Sequence, residues 1–598
     1  MSHPASHRPA GHRPAVRRPA LALLAMVLVL LTGCAQIPTS GPIEVAPGLE
    51  QETDSGVEIA PEPPSAGASP RTVVEGFLQA IANYQPGYTV AREYLAEDVR
   101  ESWQPESQVL IYADGYSVAT TPDSATLTAP LFGRIAQDGS FSRIQRELKL
   151  DFGLVRDANG QWRIGNPPDG VIMTQYTFEN FYSGVNMYFY DPDYTTMVAD
   201  PVFVPRGNRN ATTLLQRLLN GPTEWIAPAV TSAIPPQTRL NVQSASVDSA
   251  GVVEVSLTDA VRSLSEEQRT RLAAQFVWTL RQLEGLSGLR ITVNGEPFAI
   301  PEQDPTGVVS LDLAESLGPA PPSGTDQVFG IGPAGVVEVI AGPNGSDLAP
   351  VPGGLGELSS ASDLAVSADA ARAAVVSADE SVLTEATLAE GQPRTVSDTL
   401  TNLLRPDYSG STPQELWFVG DNTVGEQQIR MADDEGRVAA VPNTLTDNAR
   451  LQNFAISPDG LRFAAVRERP DGSHELGVGL VDRTGDIPSV NRWKQVSLDE
   501  SGRGSSLSAV DVAWLDTTTL MVLTSNGDAG RTPVEVDQSG SIISDMGTAE
   551  DWDVWAVAAA SGQSPTRATV AGRGAWEFTD DYQWTPVSPD LRAVAYPG

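Results

Sequence analysis

Histidine, cysteine and lysine are nearly missing from this 598-residue chain, and each shortage removes a class of function. Three of the four histidines, His3, His7 and His12, sit ahead of the apolar run near the start, and only His474 follows it, in the polar segment Arg469-Pro-Asp-Gly-Ser-His-Glu. Nucleophile systems of the Ser-His-Asp or Cys-His type need a placed histidine, and zinc sites draw on several His or Cys ligands. The chain has parts for neither. Cys34 is the only cysteine, so no disulfide forms within the chain. Lysine occurs only at Lys149 and Lys494, and 75 acidic residues outnumber 39 basic ones. A net charge of −36 with no basic patch argues against nucleic acid, whose binding rests on neutralising phosphates with Lys and Arg. Long apolar runs are short too: Ala20 to Leu31 is 12 residues, well under the roughly 20 a spanning helix needs.

What that run does have is context. Arg8, Arg13, Arg17 and Arg18 precede it with no acid, and Leu31-Thr32-Gly33-Cys34 follows, so residues 1–33 read as an export signal. Leu-Thr-Gly-Cys resembles the bacterial lipobox, which implies that Cys34 is lipidated and becomes the first mature residue. Removing the signal leaves 35 basic residues against 75 acidic, a surface repelled by anionic lipid headgroups. Attachment then rests on the acyl chains, and a lipobox cysteine usually gains more than one, as stable anchoring requires. Residues 34–69, rich in Pro, Gly, Ser, Ala and Glu, read as a flexible tether that reaches roughly 30 Å root-mean-square and about 110 Å when extended.

Three folded regions are expected beyond it. Ser69-Pro70 is a helix start, and Val74, Phe77, Leu78 and Ile81 supply one buried face. A second short helix is predicted to hold Tyr94 and Leu95. Leu148 to Leu154 alternate as a strand, and Asn159-Gly160 turns into Trp162. Residues 70–184 therefore resemble the cone-shaped nuclear-transport-factor-like α+β fold. Next come a strand around Met187 and Phe189, the turn Asp191-Pro-Asp193 and a strand from Met197 to Val204. A Leu214/Leu215/Leu218/Leu219 helix is stopped by Asn220-Gly-Pro222. Strands follow at Leu240–Val247 and Val253–Leu257, then a Ser265/Gln268 capping box starts a helix that ends at Gly285, and a hairpin turns at Asn294-Gly295. Residues 185–300 are similar to a GerMN α/β domain, with Gln237 standing where the family's turn has glycine. Asp191 and Asp193 lack the further ligands of a calcium loop and read as turn residues. Glu266 and Glu267 suit a helix first turn. Residues 301–326 are Pro- and Gly-rich and read as a linker.

From 327 to 598 one unit recurs: Leu364-Ala-Val-Ser-Ala-Asp with Ala373–Val376, Phe454-Ala-Ile-Ser-Pro-Asp-Gly with Phe463–Val466, and Val587-Ser-Pro-Asp with Ala593–Tyr596. Val512-Ala-Trp-Leu-Asp with Leu520–Leu523 and Leu403–Asp407 with Leu416–Val419 are divergent copies. Each unit reads as an inner strand, a turn and a second strand, so the region is predicted to be a TolB-like β-propeller of six or seven blades. The last unit has only two strands, and Gln327–Ile340 is expected to supply the remaining strands of that blade and close the ring. Trp417, Trp514, Trp555, Trp576 and Trp584 are either blade packing or a sugar-binding surface.

The order lipobox, cone-like domain, GerMN domain and degenerate propeller is similar to the LpqB lipoprotein family of actinobacteria. The resemblance implies a non-catalytic accessory of the Mtr two-component system, held on the outer face of the cytoplasmic membrane through Cys34. It further implies contact with the extracellular domain of the sensor histidine kinase and an influence on cell-wall growth and division. No catalytic residue, metal or cofactor site is assigned. The rival reading is a surface carbohydrate-active enzyme or cell-wall glycan binder, since propellers host glycosidases and a pair of carboxyls about 5 to 10 Å apart suffices. Replacing Cys34 with serine is expected to leave the protein unprocessed or shed; a Cys34→Ser chain that still enters the detergent phase at wild-type size and level overturns the lipobox reading.

Overall fold

The computed structural model describes residues 61–598 apart from 83, 122, 207–209, 242–244, 314, 320–326, 343–344, 390, 411–413, 500–506, 528–529, 548–552, 561–565, 572–573 and 580–582. Cys34 lies outside the described residues. No helix among them is long and apolar enough to cross a membrane.

The first domain opens with α1 (Pro70–Ala82), whose first turn is capped where the Thr72 amide donates to Ser69 Oγ at 3.2 Å. Val73, Val74, Phe77 and Ile81 bury one side of it against a five-stranded sheet. In that sheet Gln108–Tyr112 lies between Ala125–Ala136, antiparallel, and Val171–Thr174, parallel. Tyr94 and Leu95 do not form a helix: α2 (Thr89–Glu93) stops at Tyr94, and Leu95 instead bridges to Ile164 before α3 (Glu97–Arg100). Burying Leu95 on the strand from Trp162 to Ile164 outweighs continuing a short helix that has no N-cap hydrogen bond. Then α4 (Gln175–Phe181), capped by Thr174, leads into the second domain.

That domain is built on a long hairpin, Tyr182–Tyr190 with Met197–Pro205, and on two parallel strands, Val252–Leu257 and Gly288–Val293. Two helices, α5 (Ala211–Leu219) and α6 (Glu266–Leu280), share its core. The capping box of α6 is formed, with Gln268 and Ser265 bonded in both directions. The helix ends at Leu280, earlier than Gly285, and the strand expected from Leu240 reduces to a Leu240–Leu257 bridge and the short strand Ser246–Val247. Asp191 is a turn residue, its Oδ1 accepting from the Thr195 amide at 2.7 Å and the Thr196 amide at 3.0 Å. Gln237 has φ 68°, the left-handed conformation that glycine serves elsewhere, so the turn is kept at a cost in backbone strain. Residues 301–319 are not a linker. Val308–Ser310 pairs with Gly288–Arg290, and Leu311, Leu313 and Leu317 pack on the same core, so apolar burial draws the Pro/Gly-rich stretch into the domain.

Among the described residues six four-stranded sheets follow. Their inner strands are Ala361–Val366, Asp407–Tyr408, Arg450–Ile456, Ser508–Trp514, Val554–Ala560 and Val594–Ala595. The last of these pairs with Val328–Ile331, so strands from both ends of the region share one blade and the ring closes. The Ser-Pro-Asp and Ser-Ala-Asp turns repeat because they do the same job: the Arg462 amide donates to Ser457 Oγ at 2.9 Å and the Arg372 amide to Ser367 Oγ at 2.9 Å. In the final copy the arrangement differs from the expected one: Gln583–Ser588 is the outermost strand of the fifth blade, and the turn after it leads into the innermost strand of the sixth.

The three domains meet in one buried polar node. Arg462 of the propeller is fully buried and donates to the carbonyl of Ala199 on the second domain's hairpin, to Asp459, and to Gln538 Oε1 at 3.0 Å. Around it Val198, Ile226, Ala229, Leu461 and Leu480 form a shared apolar cluster. The first domain joins through Arg143, which donates to the Gly540 carbonyl at 2.7 Å, and through the Phe203 amide, which donates to the Gly139 carbonyl at 2.9 Å. Beside Arg462, Asp200 takes the amide and hydroxyl of Thr223 at 2.7 and 2.8 Å. Burial pushes its carboxyl up to about 6 despite those bonds and the Arg462 charge. Lys494, buried in the same node, is held below its usual range by desolvation, against the pull of Asp537, Asp200 and Asp138.

Gln237→Gly is expected to stabilise the protein by about 1 kcal/mol, since glycine adopts the left-handed turn without strain and gives back part of the gain as unfolded-state entropy. An unchanged or lower melting temperature would mean the glutamine side chain compensates. Asp200 binds its proton more tightly folded than unfolded, so its contribution is complete below about pH 4 and is lost as pH rises through about 6. The size is about 3 kcal/mol at 1.4 kcal/mol per unit. Asp200→Asn, whose Oδ1 accepts from the Thr223 amide while its Nδ2 donates to the Thr223 hydroxyl, should flatten the fall in stability between pH 4.5 and 6.5 in urea melts; equal slopes for variant and wild type would refute the assignment.

Candidate functional site: the propeller axis

Where the inner strands converge, they enclose a cavity of about 80 Å³ lined by Arg405, Asp407, Phe454, Trp514 and the chain's last residues, Tyr596 to Gly598. That is room for a few waters and little more. Polar side chains at this level run from blade to blade. Asp407 of the second blade accepts from the Ile456 amide of the third at 2.7 Å. Asn453 of the third donates to the Val510 carbonyl of the fourth at 3.0 Å. Asp511 of the fourth accepts from the Val557 amide of the fifth at 2.9 Å. Across this circuit Arg405 makes a two-pronged pair with Asp511 at 2.9 and 3.0 Å and donates to the carbonyls of Val512 and Val557, each at 3.0 Å.

The charges follow from that packing. Burial pushes the Asp407 carboxyl up to about 7, with the Ile456 amide, Arg405 and the Tyr408 amide pulling it back. Asp363 is raised by burial as well, opposed by Arg405 and reinforced by Asp511. Burial disfavours the Arg405 charge, but Asp511 and Asp363 more than restore it, and its pKa is raised. Arg405, Asp407 and Asp511 thus spend their hydrogen bonds within the protein itself. Chemically this cluster ties inner strands together, and Arg405 and Asp407 are its members that border the cavity.

Sequence reasoning passed over these residues. Asp363-Leu-Ala-Val, Asn453-Phe-Ala-Ile and Asp511-Val-Ala-Trp show a polar residue in register immediately before each apolar unit, and each follows a β-bulge, at Ala361/Asp363, Leu451/Asn453 and Ala509/Asp511. That recurring Asp/Asn was the signal. The tryptophans do not gather into a sugar platform. Trp417 and Trp514 are buried in different clusters, Trp514 Nε1 donating to the Ala455 carbonyl at 3.1 Å. Trp584 donates to Met546 and packs against Phe578 at 5.0 Å, while Trp555 is 41% exposed. His474 is exposed, at the first position of the strand His474–Asp482 rather than in a loop. Glu267 lies in the first turn of α6 and pairs with Arg271 at 2.7 Å. Among the described residues no group of three or more His, Cys, Asp or Glu is placed to hold a metal ion.

Known proteins match this architecture in order. Family models described as the lipoprotein LpqB N-terminal domain, the sporulation and spore germination domain and the lipoprotein LpqB β-propeller domain match residues 63–179, 186–299 and 338–597. By these descriptions none is a catalytic family. The lipoprotein LpqB of Cutibacterium acnes is 31% identical over 593 residues, covering 96% of this chain and 98% of the relative. That of Streptomyces avermitilis is 28% identical over 606 residues, covering 95% and 96%. Among solved structures, the tandem GerMN domains of the sporulation protein GerM from Bacillus subtilis are 19% identical, with 22% of this chain and 44% of that one covered at a TM-score of 0.18. With three domain models in sequence and a relative aligned nearly end to end, the chain belongs to the LpqB lipoprotein family.

Proposed function

We propose that this lipoprotein is a non-catalytic accessory of the Mtr sensor histidine kinase, anchored through lipidated Cys34 on the outer face of the cytoplasmic membrane and acting on cell-wall growth and division. The single observation that carries the non-catalytic part is the state of the axial acids. Asp407, Asp511 and Arg405 spend their hydrogen bonds on the amides and carbonyls of neighbouring blades, which supports a structural use for this cluster of carboxylates beside the axial cavity. A glycosidase needs the opposite, carboxyls presented to a cleft that admits a sugar and a water. A cavity of about 80 Å³ is far below the 300 to 1,000 Å³ of ordinary ligand pockets. The kinase as partner is carried by family membership.

Incubating the purified protein with peptidoglycan, arabinogalactan and lipoglycan fractions should release no sugar, while calorimetry with the extracellular domain of the sensor kinase should detect binding. Sugar release abolished by one carboxylate substitution that leaves the fold intact overturns the accessory reading. Absence of kinase binding removes the partner.

A further inference from the structure

The axial cavity is too small for a ligand, but the second domain has one that is not. About 540 Å³ opens between the Asp191 turn, the loop Ser232–Pro236 and the segment that runs from Ala260 into the second turn of α6. That volume is within the range of ordinary ligand pockets. Ile234, Pro235, Pro236 and Leu264 give it apolar contacts, and Ser263, Gln268 and Arg271 give it polar ones. Among the described residues that line it, Arg271 carries the one charge and no acid occurs. Main-chain groups around it are already used. The Ala233 amide donates to Gln275 Oε1 at 2.9 Å, the Pro235 carbonyl accepts from the Thr238 hydroxyl at 2.7 Å, and the Leu264 carbonyl accepts from Arg269 Nε at 3.0 Å. The start of α6 is spent as well, since Ser265 and Gln268 cap each other. Side-chain donors are what the cavity has left to offer.

Arg271 is the strongest of them. Its Nη2 pairs with Glu267 Oε1 at 2.7 Å, and its Cζ stands 4.6 Å from the centre of the Tyr194 ring. Tyr194 has φ 60°, a left-handed conformation that a bulky residue keeps only where its surroundings hold it. The guanidinium is therefore placed before a ligand arrives, with N–H groups to spare. Neighbouring acids draw on it unequally. Asp191 spends its carboxylate on the Thr195 and Thr196 amides, and Asp259 pairs with Arg262 at 2.6 Å. Only Glu267 competes, and its side chain is 73% exposed, so the pair is weak and open to exchange. We propose that this cavity binds a small ligand that joins a carboxylate to a saturated body, the carboxylate on Arg271 and the body against Pro235, Pro236 and Leu264. A guanidinium meets a carboxylate through two parallel N–H bonds, and Ser263 and Gln268 supply further donors beside it. A free peptide C-terminus and an acidic sugar both present that chemistry.

Saturation-transfer NMR titrations on the full chain separate the two sources. The probes are N-acetyl-alanyl-alanine against its C-terminal amide, and glucuronic acid against glucose. In at least one pair the acid should bind at least tenfold more tightly than its uncharged counterpart, and the pair that responds identifies the source. Arg271→Gln should erase the preference, bringing acid and neutral probe within twofold of each other. Glu267→Gln should do the reverse and tighten the acid at least twofold, because it removes the competitor for the guanidinium. An Arg271–Glu267 pair that served only to hold the helix would leave that affinity unmoved. Both side chains reach the surface of α6, so both variants should melt with the wild type; if Arg271→Gln melts early, Glu267→Gln decides. The site is overturned if neither acid is preferred, if the preference survives Arg271→Gln, or if Glu267→Gln leaves acid binding unchanged or weaker.

Discussion

A guanidinium sealed away from water has to find all its partners inside, because it cannot shed its proton as a buried carboxyl or lysine can. Arg462 is in that position, and its partners come from different parts of the chain: Ala199 from the hairpin domain, Asp459 from its own turn and Gln538 from the neighbouring blade. Remove Asp459 and a buried charge is left unpaired, a penalty of about 3 to 5 kcal/mol. The domain interface is therefore specified by direction as well as by apolar area. Val198, Ile226, Ala229, Leu461 and Leu480 alone could slide, whereas the arginine fixes which carbonyl faces which blade.

The propeller uses the same principle at its centre. Arg405 and the acids around it link the inner strands of different blades, since each sheet's ladder runs outward within one blade. The price of that arrangement is ionisable groups held away from their usual ranges, Asp407 most of all. Such perturbed groups commonly advertise a catalytic site. Here the geometry gives them another occupation, because the atoms that would face a substrate are already bonded to neighbouring blades.

How much of this was legible in the residues depended on distance along the chain. The capping box at Ser265/Gln268, the Asn294-Gly295 hairpin and the Ser-Pro-Asp turns are local, and each formed as its chemistry required. Helix ends were less so: Tyr94 and Leu95 left a helical pattern because Leu95 found a strand partner in Ile164, a contact that periodicity does not encode. Residues 301–319 looked like a joint by composition, yet Leu311, Leu313 and Leu317 had a core to join. At the axis the Asp/Asn preceding each apolar unit was visible, but its meaning was not, because it lies in a bulge and in what the next blade offers it.

Sharing one blade between Val594–Ala595 and Val328–Ile331 has a consequence for the order of events as the chain folds. Bringing Phe329 against Ala595 closes a loop that takes in nearly the whole region, an entropic cost of at most roughly 5 kcal/mol, which blades already formed in between reduce. Contacts of such long sequence separation form late. The two N-terminal domains can condense on local information as soon as they emerge, while the propeller stays an open arc until its final strand arrives. A chain of this design is thus exposed, at the last moment of its folding, along two strand edges that seek each other and would accept any other edge in reach.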